Sequence, residues 1–420
     1  MTVDRREVLC GLGFAAAKVL RDLRADAVGA QPAQVPTPGF PRKSDFVIDE
    51  GYTYLNAAYT HPIPRVAMDA ARRSAEGRCT LPPPAGGQSD TPKALFAALI
   101  NAKPSEIAYV SSTSAGENLV VQALELDHRF DGNVVTDGLH FEGALLHLLE
   151  LKKQGLDVRI VKPTKECRID FKDLEKFVDR NTKLIEVSSA SMYNGFQHDL
   201  KAVCDLAHAN GAVVYADIIH SAGAEPFDVK AVGVDFAACS TFKWLMGDFG
   251  IGFLYAREDL LDRIRRPVAG YYQAPNLEQF FPPNLPKGEY VPVTYAFQNS
   301  AAGLFECGTL TGGPAMNVAL VTASLNYIRS LGVANIQAHR QPLIRRLQQD
   351  VPRLGFTAVT PPDATGPNVT FAKPNLAGTD IPRKLQNARV NVRLSTHWMR
   401  VSPSVYNDMR DIERLLDALS

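Results

Sequence analysis

The chain has no excess of charge of either sign, with 45 Lys plus Arg against 45 Asp plus Glu in 420 residues. Without net charge there is no electrostatic grip on nucleic acid or on an anionic membrane surface, so both partner classes are set aside. It also lacks any apolar run of the roughly 20 residues that a membrane-spanning helix needs. Its six cysteines, Cys10, Cys79, Cys167, Cys204, Cys239 and Cys307, form no C-x-x-C pair and no metal-ligand spacing, and none follows Cys307. They read as buried packing residues, and no metal is expected. No internal repeat is evident. What remains is 45% hydrophobic and 21% charged, ample to bury the cores of two domains.

Two apolar runs carry most of the information. Val213-Val-Tyr-Ala-Asp217 ends on a carboxylate, and Ala237-Ala-Cys-Ser-Thr-Phe-Lys243, whose lysine lies 26 residues further on, ends on Ser-x-x-Lys. The first follows a helical stretch, Leu200 to Asn210, and reads as a strand from Gly211 to Ala216 with Asp217 at its carboxyl end. The second is a buried-strand run, Phe236 to Cys239, and the glycines from Gly247 to Gly252 let the chain turn tightly after it. In an open α/β sheet the carboxyl ends of the strands face the ligand crevice. A lysine that forms a Schiff base and a carboxylate that keeps a pyridine nitrogen protonated are what pyridoxal 5'-phosphate (PLP) chemistry requires. Either residue alone reads as a sheet-edge acid or a surface amine; together, in these contexts, they point to PLP.

A phosphate cup can be read independently. Ile107 to Val110 is a short apolar strand, Ser111 to Gly116 is small and hydroxylated, and helical spacing runs from Glu117 through Leu124. A strand, a small-residue turn and a helix start present free N–H groups and a positive dipole end to an anion, and Thr113 and Ser114 add hydroxyls. The bland alternative is an ordinary helix cap.

These segments resemble, in order, the class V aminotransferase family of fold-type I PLP enzymes, which includes cysteine desulfurases, isopenicillin N epimerase-like proteins and related lyases. The resemblance covers roughly residues 45 to 418. Tyr54-Leu-Asn56-Ala-Ala58 resembles the family's opening segment, Ser111 to Asn118 its phosphate cup, Phe305-Glu-Cys-Gly308-Thr309-Leu the segment that reaches across a dimer, and Met399-Arg400-Val-Ser402-Pro-Ser-Val-Tyr406-Asn407 its closing substrate strand. The resemblance implies an α/β fold of type I, a large domain with a mainly parallel sheet and a smaller α+β domain. It implies Lys243 and Asp217 as the catalytic pair, and Thr113, Ser114 and Ser240 around the phosphate. Thr309 would come from the neighbouring subunit of a homodimer. His140 would stack on the cofactor, or Phe141 if the register slips by one. Asn194 and His220 would lie near the phenolic oxygen. Asn56, Arg393 and Arg400 would meet an amino-acid substrate, the guanidiniums gripping its carboxylate.

Departures narrow the branch. Cysteine desulfurases of this family usually carry His immediately before the lysine, where Phe242 stands here. They also carry a mobile-loop cysteine in the segment that here reads Val392-Arg393-Leu-Ser-Thr-His397-Trp398-Met-Arg400. A persulfide mechanism needs a reachable thiolate, so that route is disfavoured. The expected function is a PLP enzyme acting at Cα of an amino acid, epimerase-like or a C–S/β-elimination lyase. The alternatives are an aminotransferase and, outside catalysis, a silent PLP-binding protein.

The first residues differ in kind. Asp4-Arg5-Arg6, followed by Gly11 to Ala17 and by Val28-Gly29-Ala30, resembles a twin-arginine export signal with a small-residue cleavage site, which implies the periplasm. A basic amphipathic N-terminal helix on a cytoplasmic protein is the alternative. Residues 1–44 are read as leader and linker, 66–310 as the large PLP-binding domain, and 45–65 with 311–420 as the small domain. The Pro- and aromatic-rich segment from Ala274 to Val293 reads as an irregular surface connection, or as a loop or clamp near the site entrance that it resembles.

Overall fold

The computed structural model describes residues 39–79, 91–274, 295–308 and 316–420. The twin-arginine-like leader, the 275–294 part of the aromatic-rich segment and Thr309 lie outside the described residues.

Regular strands begin with β1 (Thr53–Tyr54). A seven-stranded sheet follows, built from β2 (Ile107–Val110), β3 (Asn133–Asp137), β4 (Asp157–Val161), β5 (Thr182–Ser188), β6 (Val213–Asp217), β7 (Phe236–Ser240) and β8 (Gly252–Ala256). Their order is β2-β8-β7-β6-β5-β3-β4, and only β8 runs antiparallel to its neighbours. Strands β2, β3, β7 and β8 are buried along their whole length, which is why they read as continuous apolar runs rather than alternating ones. Side-chain alternation feeds two cores. Val135, Ile185, Val214, Ala237 and Phe253 pack on one face, and Val134, Leu184, Tyr215, Phe236 and Leu254 on the other.

The structure moves two expected boundaries. Gly211, with φ +79°, belongs to the turn after the helix Leu200–Ala209, so β6 starts at Val213 and takes in Asp217 as its last residue. The helix expected from Glu117 begins at Thr113, because the Ser112 hydroxyl accepts the Ala115 N–H and caps it four residues earlier. The cysteines also differ from expectation. Cys204 and Cys239 are buried, but Cys167 is half-buried and Cys307 is exposed, since the chain leaves the core after the helix Ala301–Phe305.

A second sheet of β9 (Thr357–Ala358), β10 (Val369–Ala372), β12 (Arg393–Leu394) and β13 (Trp398–Val401) is antiparallel, in the order β12-β13-β10-β9. Strand β11 (Val390–Asn391) pairs instead with β1, in parallel. Phe371, Met399, Val401, Leu347 and Leu415 form this sheet's own core with the helices Val333–Asp350 and Met409–Leu419. The segment after β1 straps the two sheets together. Asn56 bridges Ser402, the Ala58 N–H donates to Ser402 Oγ at 3.0 Å, and the His61 N–H donates to the Phe242 carbonyl at 2.9 Å. Among the described residues no helix is long and apolar enough to cross a membrane.

One turn locks the Asp217 and Lys243 segments together. Gly223 has φ +83°, and a Cβ there would stand 2.5 Å from the Trp244 carbonyl oxygen. Both the left-handed backbone and the close approach require glycine. Gly223→Ala is expected to destabilise the fold by on the order of 2 kcal/mol or more. Urea unfolding checks this, through a lowered midpoint at unchanged slope.

Candidate active site

Strands β6 and β7 are parallel neighbours, with Asp217 opposite Ala238 in register. Asp217 therefore ends one strand beside the place where the other runs on, through Ser240, to Lys243. Both residues line one cavity with Ser112, Thr113, Ser114, Phe141, Ser188, His220 and Ser240. The strand ends supply the acid, the amine and Ser188, while the helix start at Thr113 supplies the anion-facing end.

That end is tied to the lysine strand. The Thr113 N–H donates to Ser240 Oγ at 2.8 Å, and the Ser240 N–H donates to Thr113 Oγ1 at 3.0 Å. The Ala115 N–H is taken by the Ser112 cap and the Gly116 N–H by the Ser112 carbonyl. Among the described residues Ser114 keeps its N–H and hydroxyl without a partner, so the helix start has donors left to offer a phosphate.

Lys243 leaves part of its side chain open to the cavity, yet the protein packed around its amine pushes it down to about 8. Burial is the main cause; Arg400 adds to it and Asp217 opposes it. Lys243 Nζ lies 3.0 Å from His220 Nε2, and Trp244 Nε1 donates to His220 Nδ1 at 3.4 Å. Burial, with Lys243 and Arg400 nearby, holds His220 well below its ordinary value, so the ring is neutral. With Nδ1 accepting from Trp244, its proton sits on Nε2 and is donated to the free amine. Burial raises Asp217, against the pull of His140, the Ile219 N–H and Lys243. A protonated pyridine nitrogen is the cation such a carboxylate can accept.

Arg400, on β13, reaches the same neighbourhood. Its Nη1 donates to the carbonyl of Met192, a cavity-lining residue, at 2.7 Å, and its buried Nε has no partner. Burial first, and Arg393 second, lower it to about 10. A buried guanidinium with a spare donor fits an incoming carboxylate. Arg393 is the register partner of Arg400 but is exposed, lying over the Tyr59 ring at 5.4 Å. Asn56 is buried beside the β13 end with its Oδ1 unpartnered.

Two expected cofactor neighbours sit off the cavity wall. Asn194 is buried, but its amide donates to the Cys167 carbonyl at 2.7 Å and its Oδ1 accepts from the Phe196 N–H, so it holds a loop. His140 lies just behind the wall, which Phe141 lines. Its Nδ1 is 2.8 Å from Ser188 Oγ and its Nε2 is 2.8 Å from Glu117 Oε1. Burial alone would depress His140, but the Glu117 charge and hydrogen bond carry it to about 9. Burial and Glu186 lift Glu117 to about 7, with His140 opposing. Sequence reasoning missed Ser188, Glu117 and Glu186; the available signal was a glutamate among the apolar residues Leu184, Ile185 and Val187.

The sequence profile of the family described as aminotransferase class-V matches residues 85–415. A probable cysteine desulfurase of Methanothermobacter thermautotrophicus is 27% identical over 368 residues, 84% of this chain and 86% of that protein. The cysteine desulfurase CsdA of Escherichia coli shares the fold, with a TM-score of 0.77 at 20% identity over 93% of this chain and 98% of that one. So does the cystine C-S lyase C-DES. Bound to its product cysteine persulfide it gives a TM-score of 0.72 at 20% identity, over 88% and 97% of the two chains. A lysine variant of C-DES, with glycine covalently linked to its PLP, gives 0.74 at 19% identity, over 90% and 99%. With the profile spanning most of its length, the chain belongs to the class-V aminotransferase family, and its cofactor is pyridoxal 5'-phosphate.

Proposed function

We propose that this protein is a PLP-dependent C–S lyase, which eliminates a sulfur substituent from Cβ of an amino acid without a persulfide on the protein. The observation that carries this reading is a cavity lined by the easily neutralised Lys243 amine and, among the described residues, by no cysteine, with the buried Arg400 guanidinium bonded to its wall at Met192. When bound, PLP supplies the electron sink that lets Cα lose a proton. The chain's own residues do the rest. Arg400, with Asn56 beside it, receives the substrate carboxylate and orients the Cα–H bond toward Lys243. Above about pH 8 the Lys243 amine is a free base and takes that proton. The electron pair released at Cα forms the Cα–Cβ double bond, and the sulfur leaves with the electrons of the Cβ–S bond. In this reading Arg393, exposed over the Tyr59 ring, meets a second charged group of a longer substrate such as cystine.

Two features set the reading apart from desulfuration. The segment 392–400 holds no cysteine. Cys239, within electrostatic reach of Asp217 and Lys243, is buried, and burial pushes its thiol well above the ordinary range, which makes it a poor nucleophile. C-DES, similar in fold, is described as a cystine C-S lyase, which agrees with an elimination route.

Incubation with cystine, cysteine and S-alkyl cysteines is expected to release pyruvate and ammonia in equal amounts with a sulfur product. Alanine with a protein-bound persulfide, an inverted amino acid without pyruvate, or a keto acid retaining its sulfur would each replace this reading, with desulfurase, epimerase and aminotransferase respectively. Lys243→Ala is expected to lose the visible absorbance of lysine-bound cofactor and to lower turnover by about 10²–10⁴-fold or more. A visible band surviving in that variant would move the cofactor to another lysine. Arg400→Gln is expected to reduce kcat/KM by about 2–5 kcal/mol for amino acids. The same variant should lose much less toward the matching amines that lack the carboxylate, which a side-by-side kinetic comparison measures.

A further inference from the structure

Side-chain alternation along the central sheet places a second polar centre one step beneath the cavity. Ser188 ends β5 in the cavity wall, so Glu186 points from the same face two residues deeper; Tyr215 stands in the same relation to Asp217 on β6. Glu186 pairs in register with Thr136 on β3 and with Tyr215 on β6. Glu117 reaches this point from the helix Thr113–Ala123, and His140 from the turn after β3. His147, on the helix Glu142–Gln154, comes within 3.7 Å of Glu186 Oε2.

Glu117, His140 and Glu186 each bring one oxygen or nitrogen within 4.8 Å of the others, and all three are buried. The centre is under-satisfied. Glu117 Oε2, both oxygens of Glu186, both ring nitrogens of His147 and Thr136 Oγ1 are buried without a hydrogen-bond partner among the described residues. Glu186 has 0% exposure, and His147, which burial would lower but its nearness to Glu186 raises, stands 3.7 Å away, beyond hydrogen-bond length, so both oxygens of Glu186 keep room for a closer partner. His140 is already oriented, since its Nδ1 contacts Ser188 Oγ while its Nε2 faces the acids. A ring nitrogen held in this way is the usual support of a metal-ligating histidine.

We propose that Glu117, His140 and Glu186, with His147 as a fourth donor, bind a divalent first-row transition ion such as zinc beneath the cofactor cavity. The ion would displace the imidazole protons, so that two carboxylates balance a dication, and a set of nitrogen and oxygen donors without thiolate suits such ions rather than soft ones. Small rotations of the two glutamates close the present spacing onto bonds of about 2.0–2.2 Å. The ion would stand at His140 Nε2, so the ring behind the cavity wall is held from below by a metal and from above by Ser188.

The test uses tag-free, PLP-loaded protein and needs no substrate, so its outcome is independent of the reaction assigned above. Elemental analysis is expected to find about one zinc, manganese, iron, cobalt or nickel ion per chain. After stripping with a chelator, Co2+ titration is expected to saturate at one equivalent with the ligand-field bands of a nitrogen and oxygen site. Glu186→Gln and Glu117→Gln should each weaken Co2+ binding at least tenfold. His147→Gln, which keeps a polar side chain of similar size at this largely buried helix position, should weaken it several-fold while the melting temperature without metal stays near that of the wild type. Metal-free protein that shows no saturable Co2+ binding would overturn the proposal, leaving a cluster neutralised by protons alone. Binding that these substitutions leave unchanged would overturn it as well.

Discussion

The site depends on the close packing around one amine. Lys243 stands at the end of a fully buried strand, with His220, Trp244 and Arg400 gathered near it, and that packing makes the amine easy to neutralise. Removing a charge from water is unfavourable unless it is paired, and the neighbouring Asp217 opposes the effect only in part. A lysine on an open surface would stay protonated at neutral pH and could act neither as a nucleophile nor as a base.

The groups around it share a direction of stress. Arg400 is pressed below its usual value by burial and by Arg393, and His220 is kept neutral by the same burial and by the two cations. The helix start at Thr113 adds the positive end of a dipole, with Ser114 donors unspent. Thr113 and Ser114 at the helix start share one cavity with Asp217, and Arg400 bonds to Met192 in its wall. This arrangement also accounts for the strap of residues 56–61. Arg400 belongs to the second sheet and Lys243 to the first, and hydrogen bonds from Ala58 and His61 hold Ser402 and Phe242 to one connecting segment.

Below the cavity the same alternation that builds it brings polar residues into the sheet's interior. Glu186 and Thr136 occupy positions that an ordinary doubly wound sheet fills with aliphatic side chains. Glu117 is bonded through His140 to Ser188 in the cavity wall, so the electrostatics of the two layers are coupled.

Much of this was legible in the chain before folding. Continuous apolar runs marked the parallel strands, and the residue types at their ends marked Asp217, Lys243, Thr113, Ser114 and Ser240, because a strand's carboxyl end and a helix's start have local signatures in composition and spacing. The absence of any cysteine between 392 and 400 was likewise visible, and a persulfide route needs such a nucleophile. What only the tertiary structure decided were relations between distant segments. It put Phe141 rather than His140 on the cavity wall, turned Asn194 toward a loop, left Arg393 exposed while burying Arg400, and assembled Glu117, His140 and Glu186 from three separate elements. Local pattern determines which residue ends a strand. Which way a side chain turns, and what lies within a few ångströms of it, is set by packing between elements that no spacing along the sequence encodes.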